Sequence, residues 1–202
     1  MQPGRTDRAK DKSLGLVCRE RGCAANNLAG ANAAPASMEG PLRMRLALFQ
    51  PDIPQNLGAA LRLTACMAVP LDVIEPCAFP LTDKSLKRAA LDYGDKARVR
   101  LFPSWTAFLA DEARREGRLI LFTTRGGEPY HRFAFQPGDT LLMGRESAGA
   151  PDEVHAAAQA RLLIPLARGM RSLNVINAAS MALGEALRQT GGFDAEQFVG
   201  SS

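Results

Sequence analysis

Two histidines, one tryptophan, two tyrosines and four cysteines in 202 residues leave little material for several kinds of chemistry. Cys18, Cys23, Cys66 and Cys77 show no C-x-x-C spacing, and only His131 and His155 stand beside them, so no zinc site is expected. Reduced thiols in a cytoplasmic protein are the reading, with Cys66, inside "RLTACMAV", in the core. No apolar run approaches the roughly 20 residues that a membrane span needs, and the amino-terminal stretch lacks the continuous apolar region of a secretory signal. A strong charge of one sign is missing too. The formal net charge is +4, but residues 1–43 hold seven Lys/Arg against four Asp/Glu, leaving 18 against 17 in residues 44–202. A nucleic-acid site in that near-neutral body must therefore be a local patch and not a global field. Neither G-x-G-x-x-G nor G-x-x-x-x-G-K-[ST] occurs, which removes the common dinucleotide and P-loop sites. Gly144, Ser147 and Gly149 are spaced G-x-x-S-x-G, not the G-x-S-x-G of a nucleophile elbow, and neither histidine falls where an α/β-hydrolase order requires it. No internal repeat is present.

What remains is a chain with 46% hydrophobic and 23% charged residues, enough for one α/β domain. Residues 1–43 scatter Gly, Ala, Asn and Pro without period and carry few large apolar residues. They read as a disordered extension, or as a start placed upstream of Met38 or Met44; a basic RNA-binding arm is the alternative. Residues 44–192 form the expected domain, and 193–202 a tail. From Met44 the pattern is regular: strand "MRLALF", helix "PQNLGAALRLTACMA", strand "PLDVIE", a helix "TDKSLKRAALD" capped by Thr82 or Asp83, strand "ARVRLF", helix "SWTAFLADEARRE" and strand "RLILFT". A glycine-rich loop, strand "TLLMG", a short helix with Pro151 in its first turn, strand "RLLIP" and a long final helix complete it. This alternation predicts an α/β fold, a mostly parallel sheet with helices on both faces. Phe49, Trp105 and Phe108 read as core.

Such sheets place ligands at the carboxyl ends of their strands, so the loops there carry the candidates. The first, "QPDIPQNLGAALR", has Asn56 at the helix start, readable as an N-cap, with Gly58 as a packing glycine. Asn56 and Arg62 together suit an anion at the helix N-terminus. The second, "GRESAGAPDEV", has Gly144 and Gly149, which permit close backbone approach to a planar ligand, around Glu146. The third, "RGMRSLNVINAAS", sets two amides and a hydroxyl at the mouth of the last helix. Each needs a hydrogen-bond partner or costs a few kcal/mol, so they either pin a turn or hold a ligand.

Asn56-x-Gly58-x-x-x-Arg62, then Gly144-x-Glu146-x-x-Gly149-x-Pro151, then Ile164-Pro165 followed by Ser172-Leu173-Asn174-Val175-x-Asn177-Ala178, resemble the three ordered motifs of the SpoU branch of the SPOUT RNA 2′-O-methyltransferases. The resemblance spans residues 44–192. Within the branch, "IEPCAF", "KRAALDYGD" and "FTTRGG" are most similar to the enzymes acting on the wobble nucleotide, cytidine or uridine 34, of tRNA. The resemblance implies a deep C-terminal trefoil knot, a homodimer, no membrane association, and S-adenosylmethionine as methyl donor without a metal. It implies cofactor contacts from Phe122, Gly144, Ile164, Ser172 and Leu173. Arg62 would place the nucleotide's phosphate and stabilise charge on the attacking oxygen, and Asn56 and Asn174 would serve the active centre. A guanidinium is too weakly acidic to act as the base, so the acceptor of the 2′ proton stays open. Glu146 looks more like a contact inside the knot.

Arg171 is a candidate for a substrate phosphate or for a charge near the cofactor. Lys84, Lys87 and Arg88 form a basic stripe for tRNA phosphates or simply a solvated face. The small residues Ala178, Ala179, Ala182 and Gly184 would permit close helix contact in a dimer. Two positions depart from the family pattern: Ile176 stands where relatives often have Ser, and Gly184 where close relatives carry Tyr. Ribosomal RNA, another tRNA position, or RNA binding without catalysis are the alternative functions.

Overall fold

The structure, a computed structural model, describes residues 43–81, 98–193 and 198. The helix expected over "TDKSLKRAALD" and the basic stripe Lys84, Lys87 and Arg88 lie outside these residues, as do Cys18, Cys23 and most of the two terminal segments. Among the described residues seven strands form one sheet in which every pairing is parallel. In chain order they are β1 (Arg45–Phe49), β2 (Leu71–Ile74), β3 (Val99–Phe102), β4 (Leu119–Phe122), β5 (Glu128–Pro129), β6 (Thr140–Met143) and β7 (Ala160–Leu163). The helices are α1 (Pro54–Cys66), α2 (Trp105–Ala110), α3 (Glu112–Arg115), α4 (Asp152–Ala157) and α5 (Val175–Gln189). The order across the sheet is β3-β2-β1-β6-β4-β7-β5.

Alternation along the central strands explains two hydrophobic layers. In β1, Leu46 and Leu48 point to one face, where Leu57, Ala60 and Leu61 of α1 and Ile176, Ala179, Leu183 and Leu187 of α5 cover them. Ala47 and Phe49 point to the other, where Phe108 of α2 and Val154 of α4 lie. β1, β2, β4 and β6 are buried at every residue, as strands sandwiched between helices must be. Phe49 meets Trp105 edge-on at 5.6 Å between centroids, and Trp105 stacks on Phe108 at 5.5 Å, so these rings are core.

The structure corrects several local expectations. Asp72, fully buried in β2, where the sequence reading assigned it no role, is held by Arg45 through Nε (2.9 Å) and Nη2 (2.8 Å) and by Arg100 Nε (3.0 Å), while Arg100 reaches on to Asp111. This ion network ties β1, β2 and β3 together. The single helix expected over "SWTAFLADEARRE" is two, because Asp111 adopts an extended conformation and its carboxylate caps α3 by accepting from Arg114 N (2.9 Å). Glu128–Pro129, inside the loop read as glycine-rich, adds a short edge strand to β7. Pro151 is the N-cap of α4, one residue before its first turn. Cys66 is exposed: the buried residues of α1 are Asn56, Leu57, Ala60, Leu61 and Thr64, and position 66 falls off that stripe. Ala179 and Ala182, taken as dimer contacts, are fully buried within the chain's own core. No helix among the described residues is long and apolar enough to cross a membrane.

Candidate active site

The strand order brings the three motif loops to one edge. β6, β4 and β7 are neighbours, and Phe122 at the end of β4 is in register with Met143 of β6 and Leu162 of β7. Phe122, Gly144 and Ile164 therefore sit at the same carboxyl edge on three adjacent strands. The loop after β1 lies beside them, because β1 pairs with β6.

That loop begins under constraint. Gln50 has φ 46°, a left-handed conformation uncommon for a residue with a side chain, and its N–H donates to Ile74 O (2.8 Å). Its side chain also accepts from Arg145 Nη2. Asp52, between Pro51 and Pro54, accepts from both the backbone N–H (3.3 Å) and the hydroxyl of Ser147. Glu146 in turn accepts from Asp52 N (3.0 Å) and from Asn56 Nδ2 (2.9 Å). Asn56 Oδ1 accepts from Asn174 Nδ2 (3.0 Å), and Asn174 Oδ1 caps α5 by accepting from Ile176 N (2.9 Å) and Asn177 N (3.3 Å). One chain of contacts, from the Asp52 backbone N–H through the side chains of Glu146, Asn56 and Asn174, thus joins loops 90 or more residues apart in sequence.

The paired amides of the third motif divide their roles accordingly. Asn174 pins the turn, whereas Asn177 faces solvent. Asn56 is not an N-cap: Ile53 holds that position, Pro54 opens the helix, and Asn56 is buried inside the first turn. Its amide is spent on Glu146 and Asn174, so it does not meet Arg62 at the helix start. Arg62 is exposed, about 9 Å further along the axis and about 120° round it by helical geometry. Gly144 and Gly149 are required by the loop itself. A Cβ at Gly144 would lie 2.7 Å from Gly149 C, Gly149 has φ 69°, and Arg145 and Gly149 exchange backbone hydrogen bonds of 2.9 Å.

Electrostatics at this junction is governed by two carboxyl groups in contact. The hydrogen bond with Glu146, reinforced by Ser147, lowers the Asp52 carboxyl to about 2. Burial, together with Asp52, raises Glu146 above the ordinary glutamate value. Nearby, burial and the charges of Glu75 and Glu146 push the Cys77 thiol up to about 12. The remaining candidates line the same edge: Ile164 is half-buried against the core, and Ser172, Leu173 and Arg171 are exposed on the connection from β7 to α5. Among the described residues no group of His, Cys, Asp or Glu is arranged to hold a metal ion. Sequence reasoning missed Asp52, Gln50 and Arg145. A carboxylate between two prolines directly after a buried strand was the available signal for Asp52.

A parallel sheet whose strand ends carry three interlocked loops, with neither phosphate-binding fingerprint, is the architecture of a SpoU-type methylase. The chain belongs to the SpoU rRNA Methylase family, which residues 43–184 match. It is 54% identical, over 72% of its own length and 91% of the relative's, to a tRNA (cytidine(34)-2′-O)-methyltransferase of Beijerinckia indica. It is 42% identical, over 71% and 94%, to the protein of that name in Burkholderia pseudomallei. Among solved structures, one described under the 2-OH methylation of C/U34 on tRNA superposes with a TM-score of 0.68 at 42% identity, covering 74% of this chain and 97% of the other. The SpoU methyltransferase AviRb of Streptomyces viridochromogenes, in complex with AdoMet, superposes with a TM-score of 0.67 at 26% identity, covering 75% and 62%.

Proposed function

We propose that this chain methylates the ribose 2′-oxygen of the wobble nucleotide, cytidine or uridine 34, of tRNA. The observation that carries the reading is the Asp52–Glu146–Asn56–Asn174 chain, which assembles the three family motifs into one junction. High identity to relatives named for that reaction supports the choice of nucleotide.

The strand ends suit S-adenosylmethionine. Phe122, at the rim of the core, and half-buried Ile164 give the strand ends an apolar floor, the Ser172 hydroxyl is exposed, and Arg145 Nε, buried without a partner among the described residues, lies at the same junction. Bound there by Phe122, Gly144, Ile164, Ser172 and Leu173, the cofactor supplies an activated methyl group on a sulfonium. The chain's own residues hold the acceptor in line, which is where most of the rate comes from. Arg62 contacts the nucleotide's phosphate and stabilises negative charge growing on the 2′-oxygen. Asn56 and Asn174 fix the mouth of α5, and Arg171 is available to a second phosphate. In this reading α5 threads a trefoil knot, two copies of the chain form the working unit, and both act in the cytoplasm. The apolar side chains exposed along α5 and the two loops, Met181, Leu173 and Ile53, suit a partner's cover.

Labelled cofactor and tRNA from a strain lacking the enzyme, followed by mapping of 2′-O-methyl nucleotides, test this directly. Label at position 34 is expected, and Arg62→Ala should reduce kcat/KM at least about 100-fold while cofactor still binds. Label elsewhere in RNA overturns the substrate assignment; none in any RNA overturns the activity.

A further inference from the structure

The junction contains one feature that methyl transfer itself does not call for. Asp52 Oδ1 is buried without a hydrogen-bond partner among the described residues, although the other oxygen of the same carboxyl has two donors from Ser147. The Glu146 carboxyl is held against Asp52, its oxygens accepting from Asp52 N (3.0 Å) and Asn56 Nδ2 (2.9 Å). Two carboxylates brought together this way repel unless a proton lies between them. We propose that Asp52 is a positioning residue: its carboxyl shares a single proton with Glu146, and that proton holds the motif loops in register for the cofactor. The proposal rests on the reading of this junction as the methyl-transfer site.

The two groups titrate as a pair. The Asp52 side, lowered to about 2, contributes stability above the ordinary aspartate range that is lost as pH falls toward 2. The Glu146 side is raised, first by burial and then by Asp52, so its contribution is complete at acid pH and is lost as pH rises through that raised value. Between those limits one proton is held; above them both groups are ionised and the loops after β1 and β6 repel. Among the described residues few other charges face the pair. Arg145 extends from the same loop to Gln50, Cys77 and Glu75 approach from the end of β2, and Asn56 and Asn174 are neutral amides from α1 and α5. The Cys77 thiol, at about 12, stays protonated throughout.

Asp52→Asn removes the need for the proton, because an amide donates to an ionised Glu146 and still accepts from Ser147. Two profiles between pH 5 and 9 test the proposal: melting temperature of the free protein, and S-adenosylmethionine affinity by calorimetry. In the wild type the melting temperature should fall with rising pH, and the dissociation constant should rise by up to about tenfold per pH unit, the limit for one linked proton. In Asp52→Asn both curves should flatten, so that the variant gains on the wild type as pH rises. Glu146→Gln gives up one acceptor, toward Asp52 N or Asn56 Nδ2, and should melt lower at every pH, but with no proton left to share its two curves should flatten likewise, so it serves if Asp52→Asn fails to fold. Parallel curves for wild type and variant overturn the shared proton. Diverging melting curves with no cofactor binding at any pH leave the shared proton standing and overturn the functional reading instead.

Discussion

Replacing Asn56 by alanine should loosen the whole junction, since both ends of its amide are engaged. The side chain donates to Glu146 Oε1 at 2.9 Å and accepts from Asn174 Nδ2 at 3.0 Å, and the residue is 7% exposed. A hydrogen bond to a carboxyl group contributes about 1.5–3 kcal/mol and a neutral one about 1 kcal/mol, so the loss is about 3 kcal/mol. In a body of this length that corresponds to a fall of about 6–12 °C in Tm. Asn56→Asp separates hydrogen bonding from packing, because it keeps the volume and the acceptor toward Asn174 but turns an oxygen, in place of a donor, toward Glu146. At neutral pH it should therefore destabilise at least as much as alanine. Below about pH 4, where an aspartic acid regains a donor, it should recover while the alanine variant does not. Differential scanning calorimetry from about pH 3 to pH 8, with cofactor titrations at pH 7, reads both effects. If either variant melts within about 2 °C of the wild type at pH 7 and binds cofactor unchanged, the chain of contacts does not hold the loops.

Two glycines should behave oppositely. Gly144→Ala drives a Cβ into the backbone of Gly149 and Ala150, so cofactor affinity should fall at least about tenfold. Gly184→Ala meets nothing within 4 Å in mid-helix and should stabilise α5 by about 0.5–1 kcal/mol, measured by urea denaturation. Asp72→Ala strands Arg45 and should cost about 3–5 kcal/mol, enough to shift the urea midpoint by more than 1 M; a shift under 0.3 M would show that solvent reaches the pair. With its thiol held near 12, Cys77 should react with a disulfide reagent at pH 8 far more slowly than exposed Cys66, judged by peptide mapping in a chain carrying Cys18→Ser and Cys23→Ser; equal rates would place Cys77 at the surface.

The elements that the sequence displays clearly are those whose burial follows a local period. The strands β1, β4 and β6 and the helices α1 and α5 were legible because each carries its own apolar pattern over its own length. The break at Asp111 was not, since "TAFLADEARRE" keeps helical spacing across it and only the carboxylate's bond to Arg114 N decides that a new helix begins. The burial of Asp72 was not legible for a related reason. A lone acid in an apolar strand carries no sign of its partners, and Arg45 and Arg100 are 27 and 28 residues away.

For the site, the sequence by itself determined which residue types stand in which loops: Asn56 and Arg62 after β1, the glycines and Glu146 after β6, Ser172 to Asn177 before α5. It also determined that these loops follow strands, which places them at carboxyl ends. Only the tertiary structure decided that β6 lies between β1 and β4, and β4 between β6 and β7, because pairing order is set by which faces bury one another, a property of the whole sheet. From that order come the contact of Asp52 with Glu146 and of Asn56 with Asn174, 94 and 118 residues apart. A hydrogen bond acts over about 3 Å of space whatever the separation along the chain, and so leaves no period to be read in advance.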